Sequence, residues 1–289
     1  MNGILLLDKP QGFTSHDAVV KLRGILREKR IGHSGTLDPL ATGLLVVFVG
    51  RATRAVEFAE NDEKEYIAGL RLGLCTDTQD ITGKALSQRD AAVTEDALRA
   101  ALAAFTGDIL QVPPMYSAIK MGGQKLYEIA RRGGEVERRP RPVRIGELTL
   151  LGREGADYIL RIRCSKGTYI RTLCRDIGEK LGAGGCMSSL RRTAAGQFRV
   201  EAAVSLEAVQ RAADEGRAEA LLLPVDRLFA DLPALELDAA GERKARNGNK
   251  LPVHTADGGC RVYARSGEFL LLGRVSNGVL TAVKSFFEV

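Results

Sequence analysis

The chain is poor in the residues that mark several large protein classes. Its five cysteines, Cys75, Cys164, Cys174, Cys186 and Cys260, are odd in number, widely spaced and form no C-x-x-C pair. They indicate neither a disulfide framework nor a cysteine zinc site, and reduced thiols in a cytoplasmic setting are the expectation. Its three histidines, His16, His33 and His254, lie too far apart for H-x-x-x-H spacing, so no metal is expected. No apolar run approaches the ~20 residues of a membrane helix. The apolar stretch Ile4 to Leu7 is cut off by Asp8, Lys9 and Pro10, too early for a signal-peptide core, and no membrane attachment is expected. The motif G-x-x-x-x-G-K-[ST] is absent, and the glycines from Gly182 to Gly185 fail the G-x-G-x-x-G spacing, which leaves ATP, GTP and NAD without a seat. G-H-S-G at Gly32 to Gly35 falls one residue short of a nucleophile elbow and has its apolar strand on the wrong side, which argues against a serine hydrolase.

What is present is a chain of 289 residues, 45% hydrophobic and 27% charged, an ordinary globular composition. Its length predicts one large domain with an appendage, or two domains. Ile4 to Leu7 reads as a buried strand, and Ser15 to Arg30 as a helix capped by Ser15, with Val19, Leu22 and Leu26 on its apolar face. Leu44 to Val49 and Tyr66 to Leu74 read as strands, and Thr94 to Phe105 as a helix capped by Thr94. Tyr158 to Cys164 alternates as a half-buried antiparallel strand does. Thr168 to Leu181 places Ile170, Leu173, Cys174, Ile177 and Leu181 on one helical face, Leu190 to Val200 reads as a strand, and Ser205 opens another helix. This mixture favours an α+β fold around a mixed, largely antiparallel central sheet flanked by helices. Around Pro224 to Pro233 the character changes, and residues 235–289 form a small strand-rich unit. Its strands are Cys260 to Ala264, Glu268 to Val275 and Val279 to Phe287, with a type I′ turn at Asn277-Gly278. So short a unit is expected to pack on residues 1–234.

The net charge of +6 is unevenly placed. Between Gln111 and Arg144 stand Lys120, Lys125, Arg131, Arg132, Arg138, Arg139, Arg141 and Arg144 against Glu128, Glu135 and Glu137, a local excess of +5. Proline and glycine punctuate this stretch, which reads as a projecting segment with a short helix from Gln124 to Arg132. Each Lys or Arg placed on a phosphate releases counterions, so nucleic acid is the natural partner, and Met115, Tyr116 and Tyr127 add stacking groups. A plain solvated face would show the same charge run.

Ile31 to Gly43, reading I-G-H-S-G-T-L-D-P-L-A-T-G, is the most informative segment. Pro39 restricts the backbone of Asp38, and Gly32, Gly35 and Gly43 leave room for close approach by another molecule. One carboxylate is thereby fixed on a loop that can lie against a ligand. The same chemistry also makes an ordinary turn between a helix and a buried strand, and local chemistry leaves both readings open.

Separated segments agree on one family. L-L-L-D-K-P-Q-G-F-T-S-H-D (Leu5 to Asp17), G-H-S-G-T-L-D-P-L-A-T-G-L-L (Gly32 to Leu45), K-E-Y (Lys64 to Tyr66), P-P-M-Y-S-A-I-K (Pro113 to Lys120), S-K-G-T-Y-I-R (Ser165 to Arg171) and L-R-R-T (Leu190 to Thr193) closely resemble the bacterial TruB type of tRNA pseudouridine synthase. Ser34 stands where members often carry Thr. The resemblance implies isomerisation of uridine 55 in the T-loop of transfer RNA, a redox-neutral reaction with no cofactor and no metal. By resemblance Asp38 is the nucleophile, attacking C1′ or the uracil ring, and Arg171 is its partner, offsetting the rise in pKa that burial alone would cause. Tyr66 stacks on the flipped base and helps remove the C5 proton. His33 fills the vacated space in the RNA loop, Tyr169 and Leu190 complete the pocket, and Lys9 and Pro10 shape its floor. Thr76 to Asp80 reads as a structural turn near the site. The basic segment corresponds to the family's thumb (111–144), with Lys120, Lys125, Arg131 and Arg132 as candidate RNA contacts. The C-terminal unit matches the PUA-like RNA-binding domain less sharply and is expected to hold the acceptor stem. A stand-alone monomer is implied, with no obligate protein partner. An RNA-folding protein with an idle carboxylate and a guide-dependent relative are the competing readings.

Overall fold

The computed structural model describes residues 1–60 and 62–288. A mixed α+β fold is built on one long sheet. Its strands run in the order Gly3–Lys9, Thr42–Val49, Gly185–Ala195, Lys64–Leu72, Asp157–Cys164, Arg141–Glu154 and Gly107–Gln111, with Ile31–Ser34 and Phe198–Arg199 paired at the side. Neighbours are antiparallel except where Gly185–Ala195 meets Thr42–Val49 in parallel, through Arg191↔Thr42 and Arg192↔Gly43. The strands Gly3–Lys9 and Thr42–Val49 bury almost every residue, as expected of strands covered on both faces. Helices Glu95–Ala103 and Ile170–Lys180 pack Leu98, Leu102, Leu173 and Ile177 against Leu70, Leu160 and Ile162 of the sheet. Helices Ser15–Leu26 and Leu206–Asp214 cover its other end through Leu22, Leu26 and Val209.

Several boundaries differ from the sequence expectation. The first helix ends at Leu26 because Arg27 adopts the left-handed conformation, and its cap is Thr14 in a capping box with Asp17. Ser15 is thereby free to serve elsewhere. The strand expected over Leu190 to Val200 is Gly185–Ala195, which turns at Gly196 into the short Phe198–Arg199 strand. Tyr66 is the third residue of its strand, which stops at Leu72, and Leu74–Thr76 belongs to a separate hairpin with Ala85–Gln88. The basic segment is shorter than its charge run. Gln111 and Arg141 through Arg144 are sheet residues paired with one another's strands, so only residues 112–140 leave the sheet. They form a small hairpin, Lys120–Met121 with Gln124–Lys125, and the helix Leu126–Arg131.

The C-terminal unit is strand-rich, with sheet order Ala234–Leu237, Gly258–Ala264, Phe269–Ser276, Val279–Ser285 and Leu251–Pro252. It also carries the helix Ala239–Arg246, which sequence reading missed. Asn277 and Gly278 both take positive φ, 51° and 71°, at the expected hairpin turn. The unit packs on the main sheet: Leu272 and Phe286 join Ile4, Leu6, Phe48 and Phe229 in one apolar cluster. Phe58 meets Phe229 edge-on at 5.3 Å, and Phe269 stacks on Phe286 at 5.3 Å. Among the described residues all five cysteines are free, and no helix is long and apolar enough to cross a membrane.

Candidate active site

The loop between Ile31–Ser34 and Thr42–Val49 is held at several points. The Leu37 amide donates to Ser15 Oγ at 2.8 Å, and that hydroxyl donates back to the Leu37 carbonyl at 3.2 Å. The Gly12 amide donates to the Pro39 carbonyl at 2.8 Å, and the Ala41 amide to the Asp38 carbonyl at 3.0 Å. Asp38 therefore stands between two anchored neighbours, with 39% of its side-chain surface open. Its position is set by backbone hydrogen bonds, not by the proline alone.

Arg171, the second residue of helix Ile170–Lys180, meets this carboxylate through Nε, 2.9 Å from Asp38 Oδ2. The contact is single-pronged. Its Nη1 donates to the Thr78 carbonyl at 3.1 Å and lies 3.8 Å from Asp80 Oδ2, while Nη2 donates to the Tyr116 carbonyl at 2.9 Å. A cation in the first turn of a helix opposes the macrodipole, and two carboxylates offset that here. Asp80 is 5% exposed and accepts from Thr78 Oγ1, the Thr82 amide and Thr82 Oγ1. Thr172 Oγ1 donates to Gln79 Oε1 at 2.7 Å. The Thr76 to Asp80 turn is thus part of the arginine's seat rather than a bystander.

Burial raises the Asp38 carboxyl above its ordinary range, Arg171 opposes that rise, and Asp80 adds to it. Arg171 therefore reduces the shift expected from burial without cancelling it. Lys9, fully buried, donates from Nζ to the carbonyls of Pro10 and Phe13, and burial pulls it down to about 8.

Tyr66, Leu190 and Leu37 share one apolar cluster beside the carboxylate. Burial pushes the Tyr66 phenol up, so the ring is neutral. Tyr169 caps the Arg171 helix, and its backbone is gripped by Gln111, whose amide accepts from the Tyr169 N–H at 2.8 Å and donates to its carbonyl at 3.1 Å. That pair ties the cleft to the root of the basic segment. His33 is half-buried on the Ile31–Ser34 strand, with Nδ1 unpartnered among the described residues, and burial lowers its pKa. Lys120, Arg131 and Arg132 lie out on the basic segment; Lys125 and Arg131 each lie 5.4 Å from the Tyr127 ring, so that ring already carries cations.

Sequence reading missed Asp80, Gln111 and Arg192. Arg192 had a readable signal, because period-two alternation puts it on the same inward face as Leu190. Among the described residues, no group of three or more His, Cys, Asp or Glu is placed to hold a metal ion. A concavity of about 880 Å³, lined in part by Lys21, Gly24, Arg27 and Asp214, contains none of these site residues.

Comparison with known proteins identifies the family. Residues 23–170 match the N-terminal domain of TruB family pseudouridylate synthases, and residues 171–230 match the tRNA pseudouridylate synthase B C-terminal domain. The tRNA pseudouridine synthase B of Aromatoleum aromaticum is 47% identical over 283 residues, covering 97% of this chain and 91% of that protein. That of Burkholderia mallei is 45% identical over 288 residues, covering 97% and 95%. Among solved structures, a chain of a Cbf5-Nop10-Gar1 complex superposes with a TM-score of 0.75 at 27% identity, covering 99% of this chain and 85% of its own. A chain of an H/ACA RNP bound to a substrate RNA containing 2'-deoxyuridine gives 0.74 at 25% identity, covering 99% and 85%. The matched domains and the near-complete relatives together establish that this chain belongs to the TruB family of pseudouridylate synthases, which are isomerases.

Proposed function

We propose that the chain converts uridine 55 in the T-loop of transfer RNA to pseudouridine, with Asp38 as the nucleophile. The observation that carries this reading is the Asp38–Arg171 pair. One carboxylate oxygen is held at 2.9 Å by a buried guanidinium while the side chain stays partly open to an incoming group. A carboxylate whose pKa is raised by burial is incompletely solvated and correspondingly reactive.

Asp38 attacks C1′ or the uracil ring, the N1–C1′ bond breaks, and uracil turns within the cleft. The C5–C1′ bond then forms as the carboxylate is released, the C5 proton leaves, and N1 takes up a proton. Atoms balance without an oxidant, cofactor or metal. Reaching the base requires extruding it from the RNA loop, which places an exposed ring where flat and apolar groups must receive it. Tyr66 stacks on that ring and assists removal of the C5 proton, and Tyr169 and Leu190 close the pocket. His33, kept neutral by burial, enters the space the base leaves.

Residues 1–234 act as the catalytic domain, and residues 235–289 as a PUA-like domain holding the acceptor stem. Within the first, the basic thumb (112–140) closes over the T-loop using Lys120, Lys125, Arg131 and Arg132. The protein acts as a cytoplasmic monomer without an obligate protein partner. The support for transfer RNA is that the curated relatives carry the name tRNA pseudouridine synthase B.

Primer extension on carbodiimide-treated transfer RNA, made without modification and then incubated with the protein, tests the reading. A single new stop assigned to uridine 55 is expected, and modification at another position only would refute the site assignment.

A further inference from the structure

Arg192 is 1% exposed and is among the largest fully buried side chains of the chain. Among the described residues no carboxylate lies within ion-pairing distance of it; its Nε and Nη2 donate to backbone carbonyls instead. Burying a guanidinium away from any counter-charge is costly, and a Met or Leu of similar length would pack an apolar core at less expense. The geometry shows what the charge is kept for.

The backbone of Arg192 lies between two strands that lead into the cleft. On one side it pairs with Gly43, just after the Asp38 loop, and on the other with Tyr66. Directly opposed residues of an antiparallel pair project to the same face, so Arg192 and Tyr66 are cross-strand neighbours. The side chain then reaches both ends of the Asp38 loop. Its Nε donates to the Leu44 carbonyl at 2.6 Å and its Nη2 to the Gly35 carbonyl at 3.0 Å. Two glycines make that approach feasible. A Cβ on Gly35 would lie 3.1 Å from Nη1, and one on Gly43 would lie 2.3 Å from the Arg192 carbonyl oxygen.

We infer that Arg192 is a positioning residue of the isomerisation, clamping both ends of the Asp38 loop to its own strand, Gly185–Ala195, which pairs with the strand of Tyr66, so that nucleophile and stacking ring keep a fixed offset. The inference rests on the proposed uridine chemistry. The planar fork reaches the Gly35 and Leu44 carbonyls from two separate nitrogens, whereas lysine would have to meet both from a single nitrogen. The electrostatic surroundings agree. Burial lowers the pKa of His33, of Lys9 and of Lys64, and in each case the buried Arg192 charge pushes the same way, favouring their neutral forms.

The test compares wild type, Arg192→Lys and Gly35→Ala by single-turnover pseudouridine formation at saturating enzyme, by filter binding of unmodified transfer RNA, and by thermal melting. Displacing a reacting group by an ångström costs about a hundredfold in rate, so Arg192→Lys is expected to bind RNA within about twofold of wild type while its bound complex reacts about a hundredfold more slowly. A rate within about threefold of wild type, or a fall in affinity matching the fall in rate, would overturn the inference. If Arg192→Lys does not fold, Gly35→Ala decides when read against Gly12→Ala: both carry the penalty of a positive φ, 73° and 87°, but only Gly35→Ala crowds Nη1, so a rate loss no greater than that of Gly12→Ala would overturn the inference. An inactive wild type would instead refute the proposed chemistry, so the two failures are distinguishable.

Discussion

Arg171 reaches Asp38 through Nε alone, at 2.9 Å, and gives its terminal nitrogens to the carbonyls of Thr78 and Tyr116. One guanidinium thus joins the nucleophile loop, the Thr76 to Asp80 turn and the root of the basic segment. Lysine would have to meet these partners from a single nitrogen. Arg171→Met leaves Asp80 buried beside an apolar chain and is expected to cost about 3–5 kcal/mol in urea unfolding, as breaking a buried pair does. Arg171→Lys should cost less and still lose most of the activity. Unchanged unfolding midpoints in both variants would contradict this account of the network.

Removing the Asp38 charge has a predictable effect on stability. Burial raises this carboxyl in the folded chain above its ordinary 3.8. Below that pH both states are protonated and nothing is lost; as pH rises through the folded value the native state ionises late, and stability falls. Asp38→Asn should therefore melt with wild type in acid, gain on it progressively above pH 3.8, and level off once the folded-state carboxyl has ionised. The gain is small because the side chain is 39% exposed and partly solvated. A variant that melts below wild type at pH 7 would show that the charge is stabilising.

Gly43 and Gly12 both have positive φ, 95° and 87°, yet only Gly43 is crowded. An alanine there would place Cβ 2.8 Å from the Arg192 nitrogen and closer still to its carbonyl oxygen, whereas at Gly12 nothing lies within 4 Å. Gly12→Ala should cost about 1–2 kcal/mol, the backbone penalty alone. Gly43→Ala should cost at least about 3 kcal/mol, since backbone and neighbours must also shift. Equal unfolding midpoints would contradict the close packing of these strands.

The basic segment should show itself in the salt dependence of RNA binding. Each cation taken away from a phosphate lowers the slope of log K against log salt by about 0.7–0.9, so changing Lys120, Lys125, Arg131 and Arg132 together to Ala should flatten it by about 3. Limited proteolysis of residues 112–140 with and without transfer RNA gives a second check, with protection expected only in the complex. An unchanged slope would mean these side chains do not meet the RNA backbone.

Much of this is legible in the chain. Thr94 carries the signal of a helix cap and accepts from the Ala97 amide, and Asn277-Gly278 turns where its positive-φ preference requires. Asp38 and Arg171, which stand in separate motifs, are in contact. What escapes reading depends on partners distant in sequence. Thr14 and Ser15 both offer a hydroxyl, and only the fold decides that one caps the helix while the other holds Leu37. Alternation puts Arg192 on the inward face with Leu190, but what its guanidinium holds shows only once the strands on both sides of it are placed. The charge run extends past the basic segment because Arg141 and Arg144, of the same composition, have already re-entered the sheet. Helix Ala239–Arg246 carries a single buried residue, Ala245, too little to leave a periodic apolar face.

The central claim is tested most directly by tritium release from unmodified transfer RNA labelled with [5-³H]uridine, using wild type and Asp38→Asn side by side without added metal or cofactor. Release by wild type, a loss of about 10⁴-fold or more in the variant, and RNA binding retained by both are the predicted results. Release by Asp38→Asn at the wild-type rate would remove Asp38 from the chemistry and contradict the account at its centre.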